Sequence, residues 1–150
     1  MTRAIRYLKE QGIAFEVAEY DHLHKGALFA SQALGIPVER TIKTLVVEVS
    51  KKGYLVVLMP GSKSISFKKL AKIRGVKRAA MVNTAMAERL TGYLVGGISP
   101  FGMKQRLPVV IDAGLLAFDK VAINGGKRGV MLIMAPLDII MTTGAEDIEL

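Results

Sequence analysis

Lys43 stands inside Thr41-Ile42-Lys43-Thr44-Leu45-Val46-Val47, an apolar, β-branched run that reads as a strand. A lysine seldom enters such surroundings without a partner or a task. Its ammonium can meet a ligand phosphate or a carbonyl oxygen. Burial would lower its pKa, and a bound anion would raise it. The plain alternative is an edge lysine whose head reaches water along its alkyl stem. The second informative stretch is Gly96-Gly97-Ile98-Ser99-Pro100-Phe101-Gly102. Its glycines and proline exclude a helix or strand interior. It follows Tyr93-Leu94-Val95, so it reads as a strand opening into a tight loop. Without Cβ atoms at Gly96 and Gly97, a ligand can approach the backbone closely, and amides there can face an anionic or oxygen-rich group.

Other chemistry-bearing residues fit bland roles better. Ser99 lacks the nucleophile-elbow pattern, because Phe101 occupies the place of the final glycine. The two histidines, His22 and His24, offer few partners for a triad, so Ser99 is expected to be a turn hydroxyl. Asp21-His22-Leu23-His24 would present both imidazoles on one side of an extended segment. No further cluster completes a metal site, and a solvated turn is the expected state. Gly125-Gly126-Lys127-Arg128-Gly129 lacks the spacing of a phosphate loop and reads as a hairpin turn. That turn would carry two cations and glycine amides to one edge of a site. No metal and no cofactor is expected.

The elements that must position these residues follow from local signals. Thr2 caps a helix over 3–11 with Ala4, Ile5 and Leu8 on one face and Gly12 at its end. Ile13, Phe15 and Val17 alternate as the buried side of a strand ending near Tyr20. A helix over 27–34 is closed by Gly35 and Pro37. Strands at 44–49 and 54–59 flank a hairpin at Ser50-Lys51-Lys52-Gly53. Ser66 caps a helix over 67–74 with Phe67, Leu70 and Ala71 inward and Lys68, Lys69 and Lys72 outward. Thr84 precedes another helix, which Gly92 ends. Strands are expected at 109–112, 120–124 and 130–134, a helix over 136–142 begun by Pro136, and an edge strand from Asp147 to Leu150. The order is α+β rather than a regular βαβ alternation.

At 51% hydrophobic and 23% charged residues, the 150-residue chain has the composition of a globular protein and a length that suits one domain over 1–150. No apolar run approaches the roughly 18 residues of a membrane span, so no membrane partner is expected. There is no cysteine, which excludes disulfides, thiolate metal sites and a cysteine nucleophile, and fits a cytoplasmic address. The net charge of +8 is concentrated between positions 49 and 87, where Lys51, Lys52, Lys63, Lys68, Lys69, Lys72, Arg74, Lys77 and Arg78 meet no acidic residue. That is the footprint of a polyanion binder, or a solvated lysine-rich face.

Lys43-Thr44-Leu45, Thr91 through Pro100, Lys104 to Asp112 with Arg106-Leu107-Pro108, and Gly125 to Gly129 together resemble the YbaK family of trans-editing aminoacyl-tRNA deacylases. The resemblance runs from Thr2 to Asp138. It implies a curved, barrel-like mixed sheet flanked by helices, as in the editing domain of prolyl-tRNA synthetase. It implies that Lys43 is essential, with Gly97, Ser99 and Gly102 in the catalytic loop. The substrate-contacting set it implies is Tyr20, Phe29, Thr44, Gly96, Ile98, Pro100, Asn124, Gly125 and Asp138. Phe29 is the candidate for the family's aromatic before the second helix, and Asn124 stands where serine is usual.

The implied reaction is removal of cysteine from proline tRNA, with alanine removal or a non-catalytic tRNA-binding module as alternatives. An ester is already activated, so the enzyme must orient it and stabilise an oxyanion, for which amides around Gly97 to Gly102 are candidates. A cysteinyl ester can be opened by its own thiol, whereas an alanyl ester needs water. Lys63, Lys68, Lys69 and Lys72, with Lys127 and Arg128, would follow the tRNA backbone without reading its sequence. A transient complex with prolyl-tRNA synthetase is implied by resemblance.

Overall fold

Val109, Val110, Ile111 and Asp112 are all buried, and the strand they form explains the layering of the molecule. In the computed structural model, which describes residues 1–21 and 27–150, this strand lies inside a five-stranded sheet. The elements in chain order are α1 (Arg3–Glu10), β1 (Glu16–Glu19), α2 (Ala27–Leu34), β2 (Ile42–Val49), β3 (Gly53–Pro60), α3 (Phe67–Arg74), β4 (Ala79–Met81), α4 (Thr84–Thr91), β5 (Val109–Asp112), β6 (Val121–Asn124), β7 (Val130–Met134), α5 (Pro136–Thr143) and β8 (Glu146–Ile148). Short 3-10 turns occupy Val38–Arg40 and Ala113–Ala117.

The five-stranded sheet runs β4-β2-β3-β5-β8, and a three-stranded sheet runs β1-β7-β6. β3 pairs antiparallel with β2 and parallel with β5, and β8 is a parallel edge on β5. A continuous apolar run is what a strand covered on both faces requires, and β3 is buried from Leu55 to Pro60. One core joins Val56, Leu58 and Ile111 to Ile123 and Leu132 of the smaller sheet and to Ala4 and Leu8 of α1. A second core sets Val47, Val57 and Met59 beneath Leu70 and Ala71 of α3. The two sheets meet at an isolated parallel bridge, Thr41 with Ala122. The mixed α+β expectation holds, but the strands divide between two sheets that do not close into a barrel.

Local expectations hold where side chains cap or stop an element. Thr2 Oγ1 accepts the Ile5 amide, Ser66 Oγ accepts the Lys69 amide, and Gly75 closes α3 in the left-handed region. Three readings need correction. Tyr93-Leu94-Val95 is not a strand. Val95 N–H donates to Glu88 Oε2 at 2.8 Å, and Gly97 N–H donates to the Leu94 carbonyl, so the segment turns before any ladder forms. Asn83, not Thr84, caps α4, because its side chain reaches the Met86 amide. In β1 the alternation slips, so Phe15 and Ala18 face in while Val17 is exposed. The strand β4 carries no alternation of its own and forms by pairing with residues 47–49 of β2. The Asp21-His22-Leu23-His24 reading falls on residues 22–26, outside the described residues.

Candidate functional site

The site follows from an incomplete pairing. β4 covers β2 only at Val47, Glu48 and Val49, and among the described residues β6 joins the larger sheet through the Thr41–Ala122 bridge. Between these contacts, residues 42–46 face a cavity of about 490 Å³. Its walls are Ala27 and Ala30 of α2, Met81 and Val82 after β4, Thr84 and Ala87 of α4, Val95, Gly96 and Ile98 of the glycine loop, and Asn124, Met131 and Tyr20 of the smaller sheet's side. The lining is mostly apolar, and among the described residues that line it there is no carboxylate or imidazole. Among those described residues Lys43 is the one cation.

Lys43 is half-buried, and its Nζ donates to the Lys63 carbonyl. Burial holds its pKa below the ordinary lysine value, since the ammonium has lost part of its water. Both sequence readings of Lys43 contain part of this arrangement, because the residue lines a ligand-sized cavity while its head keeps a backbone partner. Beside it, the Thr44 Oγ1 is buried with no hydrogen-bond partner among the described residues. A buried hydroxyl in that state costs stability unless something else satisfies it.

The glycine loop is held by the β6–β7 hairpin. Asn124 Nδ2 donates to the Gly96 carbonyl at 2.9 Å, while its Oδ1 accepts the Gly126 amide at 2.7 Å. Arg128 Nη2 donates to the Val95 carbonyl at 3.3 Å. The backbone that approaches Gly97 closely belongs to the hairpin rather than to a ligand. A Cβ on Gly97 would sit 2.8 Å from Lys127 Cα and 3.0 Å from the Arg128 amide nitrogen. The Gly97 amide is also used within its own turn. The amides of Gly96 and Ile98, both on the cavity wall, have no hydrogen-bond partner among the described residues.

Of the sequence-derived positions, Lys43, Thr44, Tyr20, Gly96, Ile98 and Asn124 converge on this cavity. Gly97, Lys127 and Arg128 line an adjoining cavity of about 680 Å³ that shares Thr84 and Val95 with the first. The other positions lie elsewhere. Ser99 is fully buried and its Oγ accepts the Phe101 amide, so it is a turn hydroxyl without access to a ligand. Pro100 and Gly102 line a separate, smaller cavity against Tyr7 and Thr142. Phe29 lies within α2 rather than before it, and its ring packs on Tyr20 with centroids 5.9 Å apart. Gly125 is buried in the hairpin, where its amide donates to the Val130 carbonyl. Asp138 lies in the first turn of α5 and lines none of these cavities. Lys68, Lys69 and Lys72 are exposed on α3, also outside the cavities. Lys63, expected among the tRNA contacts, has its ammonium paired with Asp112 at 2.9 Å.

Sequence reading missed Ala30, Ile42, Val46, Ala87 and Met131 as cavity walls. Small or apolar residues at core-like spacing carry no mark that separates a ligand wall from packing. It also gave no role to Asp112, an acid that closes an apolar run at the end of the Lys104–Asp112 stretch.

Comparison with known proteins bears on the chain as a whole. Residues 26–141 match the model of the aminoacyl-tRNA editing domain. EbsC of Enterococcus faecalis, named for deacylation of Cys-tRNA(Pro) and Cys-tRNA(Cys), is 33% identical over 153 residues that cover 99% of this chain and 92% of EbsC. The multifunctional Ser/Thr-tRNA deacylase ProXp-y of Escherichia coli K12 is 27% identical over 142 residues, covering 92% of this chain and 84% of that protein. A crystal structure described as a trans-editing enzyme for prolyl-tRNA synthetase superposes with a TM-score of 0.89 at 27% identity, covering 98% of this chain and 93% of the other.

Proposed function

The chain belongs to the aminoacyl-tRNA editing domain family, and on that footing we propose that it deacylates mischarged tRNA, with cysteine on proline tRNA as its preferred substrate. The observation that carries this reading is that the half-buried Lys43 lines one apolar cavity with Gly96 and Ile98, whose amides have no hydrogen-bond partner among the described residues. The terminal adenosine and its ester enter this cavity. Lys43 neutralises negative charge on the terminal phosphate or near the carbonyl. The Gly96 and Ile98 amides take the role that residue type alone suggests for Gly97 through Gly102, since Gly97 and Phe101 spend their N–H groups within the loop. Donors fixed before the reaction stabilise a developing oxyanion without reorganising, and in acyl transfer this stabilisation often lowers the barrier more than any other effect.

For a cysteinyl ester, the substrate sulfur attacks its own carbonyl carbon. The ester C–O bond breaks, the ribose oxygen takes up the thiol proton, and a cyclic thiolactone leaves. This route suits a cavity whose described lining offers no general base. The likeness to ProXp-y supports a second reading, in which the side-chain group exploited is a hydroxyl. The acceptor stem then passes the adjoining cavity, where Lys127 and Arg128 meet its phosphates. Prolyl-tRNA synthetase is the transient partner proposed to deliver the tRNA.

The test is a panel of proline tRNA charged with Cys, Ala, Ser, Thr or Pro, with the released product identified by mass. Thiolactone from the Cys ester, with the Pro ester intact, is the expected result. Preferential loss of Ala would require water attack and overturn the thiol route. Binding of all five without turnover would identify a non-catalytic module.

A further inference from the structure

Lys43, Met59 and Asp112 fall in one row across the larger sheet. Lys43 pairs with Met59 between β2 and β3, and Leu58 pairs with Ile111 between β3 and β5, so Met59 and Asp112 continue that row. Lys63 spans it. Its carbonyl accepts the Lys43 ammonium, and its own ammonium donates to Asp112 Oδ2 at 2.9 Å. The turn between these contacts is pinned as well. Gly61 N–H donates to the Thr41 carbonyl at 2.8 Å, and Lys63 N–H donates to the Pro60 carbonyl at 3.1 Å. A side chain at residue 61 would meet Ala27 Cβ at 2.7 Å, so the turn has little room to shift toward α2.

The Asp112 side chain is only 2% exposed, against 47% for Lys63. A carboxylate so deeply buried needs a partner, and Lys63 is the cation that reaches it. We infer that the Asp112–Lys63 pair is a positioning device: it fixes the Lys63 carbonyl, and through it the Lys43 ammonium, at the cavity wall. Lys63 therefore holds a catalytic cation in place rather than a tRNA phosphate. A flexible lysine head is poorly placed by its own stem, and a displacement of about 1 Å at a reacting group can cost on the order of a hundredfold in rate. This inference rests on the proposed role of Lys43 in deacylation.

Single-turnover and steady-state deacylation of Cys-tRNA(Pro) are compared for the wild type and for Lys43→Ala, Lys63→Met, Lys63→Arg and Asp112→Asn. The last keeps an acceptor for the Gly114 amide that Asp112 Oδ1 now binds, and replaces the charged oxygen that meets Lys63 with a neutral amide group. An active wild type with a dead Lys43→Ala variant establishes the reading on which the inference stands; failure there sinks that reading separately. With both in hand, folded Lys63→Met should lose about tenfold or more in kcat with KM within about twofold, and Lys63→Arg should recover most of the loss. If Lys63→Met does not fold, the double variant Lys63→Met/Asp112→Asn leaves no buried charge and gives the same readout. A folded variant with wild-type kcat overturns the inference. So does a loss confined to KM with a shallower salt dependence, which would make Lys63 a phosphate contact.

Discussion

At Lys43 two opposing forces set the charge of the ammonium. Burial lowers its pKa, and the proposed phosphate or oxyanion would raise it again. Activity that needs the charged form is lost as pH rises through the lowered pKa, so the alkaline limb of kcat/KM should lie below 10.5. The limb of kcat, which reports the bound state, should lie at higher pH. Coincident limbs, after subtraction of spontaneous ester hydrolysis, would show that no anion meets Lys43. Tyr93 tests the loop that carries the site. Its hydroxyl donates to the Phe101 carbonyl, and burial pushes its pKa from 10.0 up to about 12, partly offset by the Arg3 charge. The neutral phenol is favoured in the folded state, so its contribution is complete below pH 10.0 and is lost as pH rises through about 12. Urea midpoints of the wild type should fall across that window, and those of Tyr93→Phe should fall less. Parallel curves would contradict the assignment.

The elements were legible where one residue dictates a local geometry. Ser66 and Gly75 bound α3, Pro136 starts α5, and the 50–53 turn joins β2 to β3 because each satisfies or denies particular backbone groups nearby in sequence. Errors arose where a partner far along the chain decides. Tyr93-Leu94-Val95 has strand composition but no ladder to join, since Glu88 and the Leu94 carbonyl take its neighbouring amides. β4 has little pattern of its own and exists through β2. The site shows the same division. Lys43 and the glycine loop stood out by residue type, whereas the role of Gly97 depends on a hairpin about 30 residues later, where Lys127 and Arg128 press against it. Gly97→Ala should therefore cost about 1–3 kcal/mol in urea unfolding, through overpacking against backbone that cannot yield like a side chain. An unchanged midpoint would show that the hairpin moves freely.

For the whole molecule, the +8 charge offers two tracks for a polyanion. Lys127 and Arg128 flank the adjoining cavity, and Lys68, Lys69 and Lys72 form an exposed face on α3. Exchanging all three α3 lysines for glutamate should weaken tRNA binding and flatten the plot of log K against log salt, because fewer counterions are released. A slope identical to wild type would leave that face merely solvated and assign the tRNA to the Lys127–Arg128 side. No helix among the described residues is long and apolar enough to cross a membrane. The central claim is that one cavity, with Lys43 on its wall, opens the aminoacyl ester. Single-turnover deacylation of Cys-tRNA(Pro) by wild type and Lys43→Ala, with thermal melts of both, tests it most directly. The prediction is rapid loss of the cysteinyl ester with the wild type, a rate lower by on the order of a hundredfold or more in Lys43→Ala, and equal melting temperatures. Equal deacylation rates from two equally folded proteins would contradict it.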